Sequence, residues 1–333
     1  MILDNYFILF ANCIAVKGAK RGIICDLQRG YYVFVPNTLA DLLIDSSKLS
    51  IKLLLEKYKS FTDQELNFHF DTLIKYDLGH FCCNPFNFPK INKNHLTPCR
   101  VHDCIIELSD ANLKNIVFIF KSLTNLNCQI LELRSYEQFP LDKIEIILDL
   151  LKATTIKNVE LYIQHSPSNS DKKYLALLSK YPIISNATIH SCKVEPPKKS
   201  NNFNLFFTTQ KINDSSCCGN ISKEDFKINL SFYLEGLKNN TCLNKKLSIT
   251  KEGLIKNCPS LSKSYGNVNN TSLEKVVNKK SFKYLWEINK DQINVCKDCE
   301  FRYICSDCRA FLNHDNDKPK KCNYNPYTMS YVT

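Results

Sequence analysis

Between Cys296 and Cys322 the chain reads Cys296-Lys297-Asp298-Cys299-Glu300-Phe301-Arg302-Tyr303-Ile304-Cys305-Ser306-Asp307-Cys308, with a lone Cys322 beyond, and no other stretch restricts the fold as tightly. Upstream stand Cys242, Gly253 and Cys258, so the full pattern is Cys-x10-Gly-x4-Cys, a gap, Cys-x2-Cys-x5-Cys-x2-Cys, a gap, Cys. Cysteines that merely pack need no fixed spacing. Thiolates that share a metal do, because the turn within Cys-x2-Cys aims both sulfurs at one ion or cluster. The stretch reads as a metal site.

Zinc knuckles ordinarily stand about 12 to 20 residues apart, whereas five residues separate Cys299 from Cys305. Seven soft thiolates exceed the needs of one zinc and nearly fill two four-iron clusters. Iron–sulfur ligation is therefore favoured, with zinc as the alternative and disulfides or free thiols behind both. The start Met1-Ile2-Leu3-Asp4-Asn5 has no basic n-region, and runs such as Ile116 to Phe120 are far too short to span a membrane. The expected compartment is the reducing cytoplasm, where this spacing argues for metal and not for cross-links.

The pattern resembles the SPASM domain, the twin-cluster module at the C-terminus of many peptide-modifying radical SAM enzymes. The run Cys-Lys-Asp-Cys-Glu-Phe-Arg-Tyr-Ile-Cys-Ser-Asp-Cys-Arg-Ala-Phe is similar more specifically to the SPASM component of grasp-with-spasm peptide maturation systems. The resemblance covers about Cys242 to Cys322. It implies two [4Fe–4S] clusters, one on Cys296, Cys299, Cys305 and Cys322, the other on Cys242, Cys258 and Cys308. It also implies two partners, a precursor peptide and an ATP-grasp ligase. The chain departs from the family in two places. Its last pair is Cys305-x2-Cys308, where most SPASM domains have x3, and no cysteine lies a few residues before Cys242. The second cluster then has an open site or borrows Cys217 or Cys218.

Residues 1–86 read as strands followed by three short helices and a returning strand. Tyr6 to Val16, Gly22 to Asp26 and Tyr31 to Val35 form the strands, with Gly30 in the last turn. Helices are expected from about Thr38 to Ile44 and Ile51 to Tyr58. A third opens on the capping box Thr62-Asp63-Gln64-Glu65 and buries Leu66, Phe70, Leu73 and Ile74. This order is winged-helix-like and resembles the RiPP recognition element, which binds a precursor's leader as an added strand; a purely structural wing is the alternative.

Residues 87–215 alternate strands (Cys104 to Leu108, Cys128 to Leu133, Val159 to Ile163, Ala187 to His190, Leu205 to Thr208) with helices near Asn112 to Leu123, Leu141 to Lys152 and Lys172 to Lys180. The stripe of Leu141, Ile144, Leu148 and Leu151 marks a buried face. This predicts a parallel sheet or partial β/α barrel, as a radical SAM domain would provide. Yet the loop after its first strand reads Ser109-Asp110-Ala111-Asn112, and the chain has no Cys-x3-Cys-x2-Cys anywhere. The region reads as a degenerate relative, and no SAM cleavage is expected. His80, Cys82, Cys83, His95, Cys99, His102 and Cys104 crowd together without a metal-site spacing and read as ordinary packing. Cys13, Cys25, Cys128 and Cys192 read as small buried residues.

Residues 216–333 form the cysteine-rich domain. Cys217-Cys218-Gly219 opens it, and a hairpin of Leu247 to Thr250 with Gly253 to Ile255 swings Cys258 back toward Cys242. Phe301, Tyr303 and Phe311 read equally as cluster shielding or as core. The whole is expected to be α/β, a maturation component of a graspetide-type pathway. The competing readings are a SAM-independent redox maturase and an iron–sulfur DNA-binding regulator, so whether the chain is itself an enzyme stays open. A net charge of +11 spread over many lysines permits an acidic peptide and nucleic acid alike. No predicted helix carries a row of side chains suited to a major groove, which argues against nucleic acid. No phosphate-binding loop is present, so ATP chemistry would belong to a partner.

Overall fold

The computed structural model describes residues 3–94, 97–193 and 204–331. Its N-terminal unit holds strands β1 (Tyr6–Leu9), β2 (Cys13–Lys17), β3 (Arg21–Asp26) and β4 (Tyr31–Pro36), helices α1 (Asn37–Asp45), α2 (Ile51–Lys57) and α3 (Asp63–Lys75), and β5 (Gly79–Cys82). The single strand expected over Tyr6 to Val16 is two. A turn at residues 10–12 closes with Cys13 N donating to the Phe10 carbonyl at 2.8 Å, and the Asn12 amide donates to Asp26 at 2.8 Å. β2, β3 and β4 form an antiparallel sheet with β4 at its edge, while β1 pairs with β5. Gly30 takes φ +76° in the β3–β4 turn, a conformation that costs glycine nothing.

The capping box closes as expected. Thr62 Oγ1 accepts from Glu65 N at 3.2 Å, and the Glu65 carboxylate accepts from Thr62 N at 2.9 Å. Leu66, Phe70 and Leu73 then face the core, where Phe70 stacks on Phe7 at 4.2 Å. Ile74, expected on the same face, is 40% exposed: one residue past Leu73 the helix has turned about 100°.

The middle of the chain runs β6 (Asp103–Glu107), α4 (Asp110–Asn125), β7 (Ile130–Arg134), α5 (Leu141–Leu150), β8 (Asn158–Gln164), α6 (Asp171–Lys180), β9 (Ile184–His190) and β10 (Leu205–Phe207). The strands lie parallel and in sequential order, the progression of a partial β/α barrel. Alternation along the strands gives the sheet two unlike faces. Cys104, Ile106, Leu131, Leu133, Val159, Leu161 and Ile163 are buried in one core with the inward stripes of α4, α5 and α6. Asp103, Glu132, Arg134, Glu160 and Tyr162 occupy the alternate positions, on the other face. On α5 the buried stripe is Ile144, Ile147 and Leu148, continued by Leu151, with Leu141 only partly covered.

The sheet does not stop at residue 215. After α7 (Leu230–Gly236), β11 (Lys246–Ile249) inserts parallel to β6, and β12 (Ile255–Lys256) folds back antiparallel as the expected hairpin. Gly253 turns it with φ +79°. Short helices α8 (Leu273–Val277) and α9 (Lys280–Lys283) cover this end of the core. Among the described residues no helix is long and apolar enough to cross a membrane.

Candidate metal centres

Four of the sequence-selected cysteines gather beside the N-terminal unit. Cys296 opens a 3-10 turn, Cys296–Asp298, entered through Val295 at φ +66°. Cys299 N closes that turn on the Cys296 carbonyl at 3.0 Å. Cys305 is buried, and Cys322 N is held by the Pro319 carbonyl at 2.9 Å. The four sulfurs feel one another. Burial pushes the Cys296 thiol up to about 12, with Cys305 and Cys322 adding to it. Burial likewise raises Cys299 and Cys305, each with a further push from another thiol of the set.

The second set forms around the β11–β12 hairpin, with Cys242 before it and Cys258 after it. Burial pushes Cys242 up to about 11; Lys246 pulls it down, while Cys258 and Cys218 push it up. Cys258 also feels Cys218, and Cys308 feels Cys242 and Cys218. Four thiols therefore lie within electrostatic reach of one another here too, and the fourth is Cys218. Gly219 makes this approach possible: at φ +84°, a Cβ there would stand 2.9 Å from Cys308 Sγ. Cys217 turns aside, its sulfur 3.9 Å from the Lys211 carbonyl.

Spacing gave no hint of the cations behind these thiols. Lys290 is 4% exposed, and its ammonium donates to Cys305 Sγ at 2.9 Å. Burial alone would lower its pKa, yet Cys305, Cys296 and Asp307 more than offset that, and it is raised. Lys246 behaves alike, held charged by Cys242, Asp103, Glu132 and Cys258 against the cost of burial. Between the two sets lies a buried network: Arg309 pairs with Asp307 at 2.6 Å, and the Asn240 amide donates to Asp307 at 2.8 Å.

These cations test whether the donor set fits a metal group. Burial keeps a thiol neutral, and Lys290, whose hydrogen bond goes to Cys305 Sγ, would then be a buried ammonium set directly against neutral sulfur, which is costly. A metal group deprotonates coordinating thiols outright and so supplies the missing negative charge. The residues fit. Among the described residues no three Cys, His, Asp or Glu side chains are placed to hold a single metal ion. A four-iron cluster spreads its thiolates wider than a zinc ion, whose sulfurs sit about 2.3 Å from the metal. The same observation covers His80, Cys82, Cys83, Cys99, His102 and Cys104, while His95 lies outside the described residues.

The two sets have different surroundings. The first is interlocked with the N-terminal sheet through the loop between Cys299 and Cys305. Ala19 N donates to the Asp298 carbonyl at 2.7 Å, and Arg302 donates to the Lys17 carbonyl at 2.6 Å. The Arg21 guanidinium pairs with Glu300 at 2.9 Å, and Tyr324 donates to the same carboxylate oxygen at 2.5 Å. Phe301, read from sequence as core or cluster shielding, packs edge-on against Tyr32 of β4 at 5.4 Å. The second set stands over the polar face of the central sheet. Cys242 and Lys246 line a cleft of about 560 Å³ with Asp103, Glu132 and Glu160. A smaller cleft of about 180 Å³ takes in Cys218, Arg134 and Tyr162.

At the carboxyl end of β6, only Leu108 and Ser109 precede α4. Ser109 caps that helix by accepting from Asn112 N at 3.1 Å, and the Asn112 amide donates to the carbonyls of Glu107 and Thr250 at 2.7 and 2.8 Å.

Residues 241–300 match the family model of SPASM, an iron–sulfur cluster-binding domain. The match includes Cys242, Cys258, Cys296 and Cys299. No curated protein matches this chain. A crystal structure of Streptococcus suis SuiB bound to S-adenosylmethionine is similar over 94% of this chain and 99% of that one, at 11% identity and a TM-score of 0.40. SuiB bound to precursor peptide SuiA is similar over 91% and 96%, at 11% identity and a TM-score of 0.34.

Proposed function

We propose that this SPASM-bearing chain is an iron–sulfur component of a ribosomal peptide maturation pathway. Two groups of four thiols, each backed by a lysine, carry the reading. Cys296, Cys299, Cys305 and Cys322 would hold one cluster, and Cys218, Cys242, Cys258 and Cys308 the other. Bound there, the clusters supply one-electron redox capacity or a fixed Lewis-acidic anchor. The chain's own residues do the rest. The edge of β4 offers unpaired backbone groups to an extended leader peptide. The 298–302 loop fixes that edge relative to the cysteine-rich domain, and the cleft over Asp103, Glu132 and Glu160 lies open beside Cys242.

The work assigned to this arrangement is presentation, in the cytoplasm, of a precursor to an ATP-grasp ligase that forms side-chain esters or amides. The pathway type and the ligase rest on the likeness of the Cys296 to Phe311 stretch to grasp-with-spasm proteins. The redox-maturase reading is the second, favoured by the position of Cys242 on the cleft wall.

Two measurements test the proposal. Anaerobically purified protein should contain about eight iron and eight acid-labile sulfide per chain; zinc without sulfide refutes the clusters. A labelled precursor leader should bind the full chain and leave it when β4 is altered; retained binding refutes the assignment to that edge. A mass change in the precursor with this protein alone, without ligase or ATP, decides for the redox maturase.

A further inference from the structure

Lys290 is a buried cation without a carboxylate of its own. Asp307, the acid nearest it in the network, is taken up by Arg309 and Asn240. Among the described residues Lys290 forms no ion pair with any Asp or Glu, and its hydrogen bond goes to Cys305 Sγ at 2.9 Å. A lysine 4% exposed survives only beside compensating charge, and the group it touches directly is the sulfur set, with Asp307 acting from further off. The second set is arranged otherwise: Lys246 is shared with Asp103 and Glu132 of the sheet, and no hydrogen bond joins it to a sulfur among those described.

We propose that Lys290 tunes the first centre, raising its reduction potential relative to the same cluster without the lysine. The inference rests on the cluster assignment made above. The physics is direct. Reduction places one more negative charge on the cluster and its thiolates. A fixed ammonium hydrogen-bonded to one of those sulfurs stabilises the reduced state more than the oxidised one, and hydrogen bonds to sulfur and net charge are established levers on such potentials. The low dielectric of a buried site strengthens the effect. Lys290 is thus a positioning and tuning residue. It touches a ligand and not a substrate.

The test is an EPR-monitored redox titration of the full chain, purified without oxygen, as wild type, Lys290→Met and Lys290→Arg. In the Met variant the reduced-to-oxidised ratio of one centre at fixed poise should fall at least tenfold, a downward shift of about 59 mV for a one-electron couple. The other centre should not move, and Arg should restore most of the difference. Should the Met variant lose iron, Lys290→Gln, which keeps a neutral donor, is titrated in its place with the same expected direction. A substituted protein that keeps its iron and titrates as wild type overturns the proposal. So does an equal shift of both centres. Iron and sulfide on the same samples separate the two failures: a wild type without sulfide refutes the cluster assignment itself, whereas full clusters with unmoved potentials refute only the role of Lys290.

Discussion

Removing Arg21 should loosen the N-terminal unit from the cysteine-rich domain by a predictable amount. Glu300 has a fully buried side chain, while that of Arg21 is 26% exposed. One carboxylate oxygen accepts from Arg21 and Tyr324; the other is buried without a partner among the described residues. Arg21→Ala leaves that carboxylate with a single hydroxyl donor. Stripping one member from a buried pair costs about 3–5 kcal/mol. The partial exposure of Arg21 lets water reach the vacated space, so about 3 kcal/mol is expected, near the bottom of that range. Adding Glu300→Gln removes the stranded charge and should recover about 2 kcal/mol, because deleting both partners costs less than deleting one. The double-mutant cycle isolates this coupling. Trp286, the sole tryptophan, sits in the central core and reports on the sheet; docking is better read by hydrogen exchange of β2–β4 amides on anaerobic protein. A loss below about 1 kcal/mol for Arg21→Ala, or no recovery in the double mutant, refutes the assignment of Arg21–Glu300 as the latch.

Other expectations follow from neighbouring features. Cys218→Ala should lower iron and sulfide per chain and Cys217→Ala should not, since Cys218 lies within electrostatic reach of Cys242, Cys258 and Cys308 while the Cys217 sulfur stands 3.9 Å from the Lys211 carbonyl; equal iron in both variants contradicts this. Gly18→Ala should disturb the same docking seam, because its Cβ would stand 2.6 Å from the Arg21 carbonyl and 2.9 Å from Glu300 N, as proteolytic sensitivity of the seam can show. Val295→Gly should stabilise the chain by about 1 kcal/mol, since a β-branched residue at φ +66° is strained; a loss in chemical denaturation would speak against it. His190 is buried, with Nε2 donating to the Ser135 carbonyl at 2.9 Å, and burial lowers its pKa. The unfolded chain then binds more protons below its ordinary value of about 6.5, so stability falls as pH drops beneath that point, and His190→Gln should flatten the slope.

Local signals were legible in the sequence. The Thr62–Glu65 capping box, the α5 stripe and the Gly253 turn each depend on residues within a few positions of one another, and spacing encodes them directly. The grouping of Cys296, Cys299, Cys305 and Cys322 came with a family pattern. What spacing could not carry was partnership across the chain. Cys217 and Cys218 are adjacent and chemically identical, and only the path of the loop through Gly219 decides which one turns toward Cys308. Lys290 and Lys246 are two among many lysines, and nothing local marks them as partners of the thiols. The break at Asn12 was hidden because its side chain answers to Asp26 on another strand. Ile74 was misplaced by one residue of helical phase.

The insertion of β11 beside β6 bears on how the protein can be taken apart. A cut at residue 216 would look reasonable from composition, yet it divides one hydrogen-bonded sheet. The cysteine-rich part alone would lose the strand against which β11 is ordered, and with it the brace that holds Cys242 and Cys258 on either side of the hairpin. The remaining part would expose β6 as a parallel edge, an invitation to self-association. In evolutionary terms the two regions are not freely exchangeable modules: a transplanted cysteine domain must bring its own neighbour for β11.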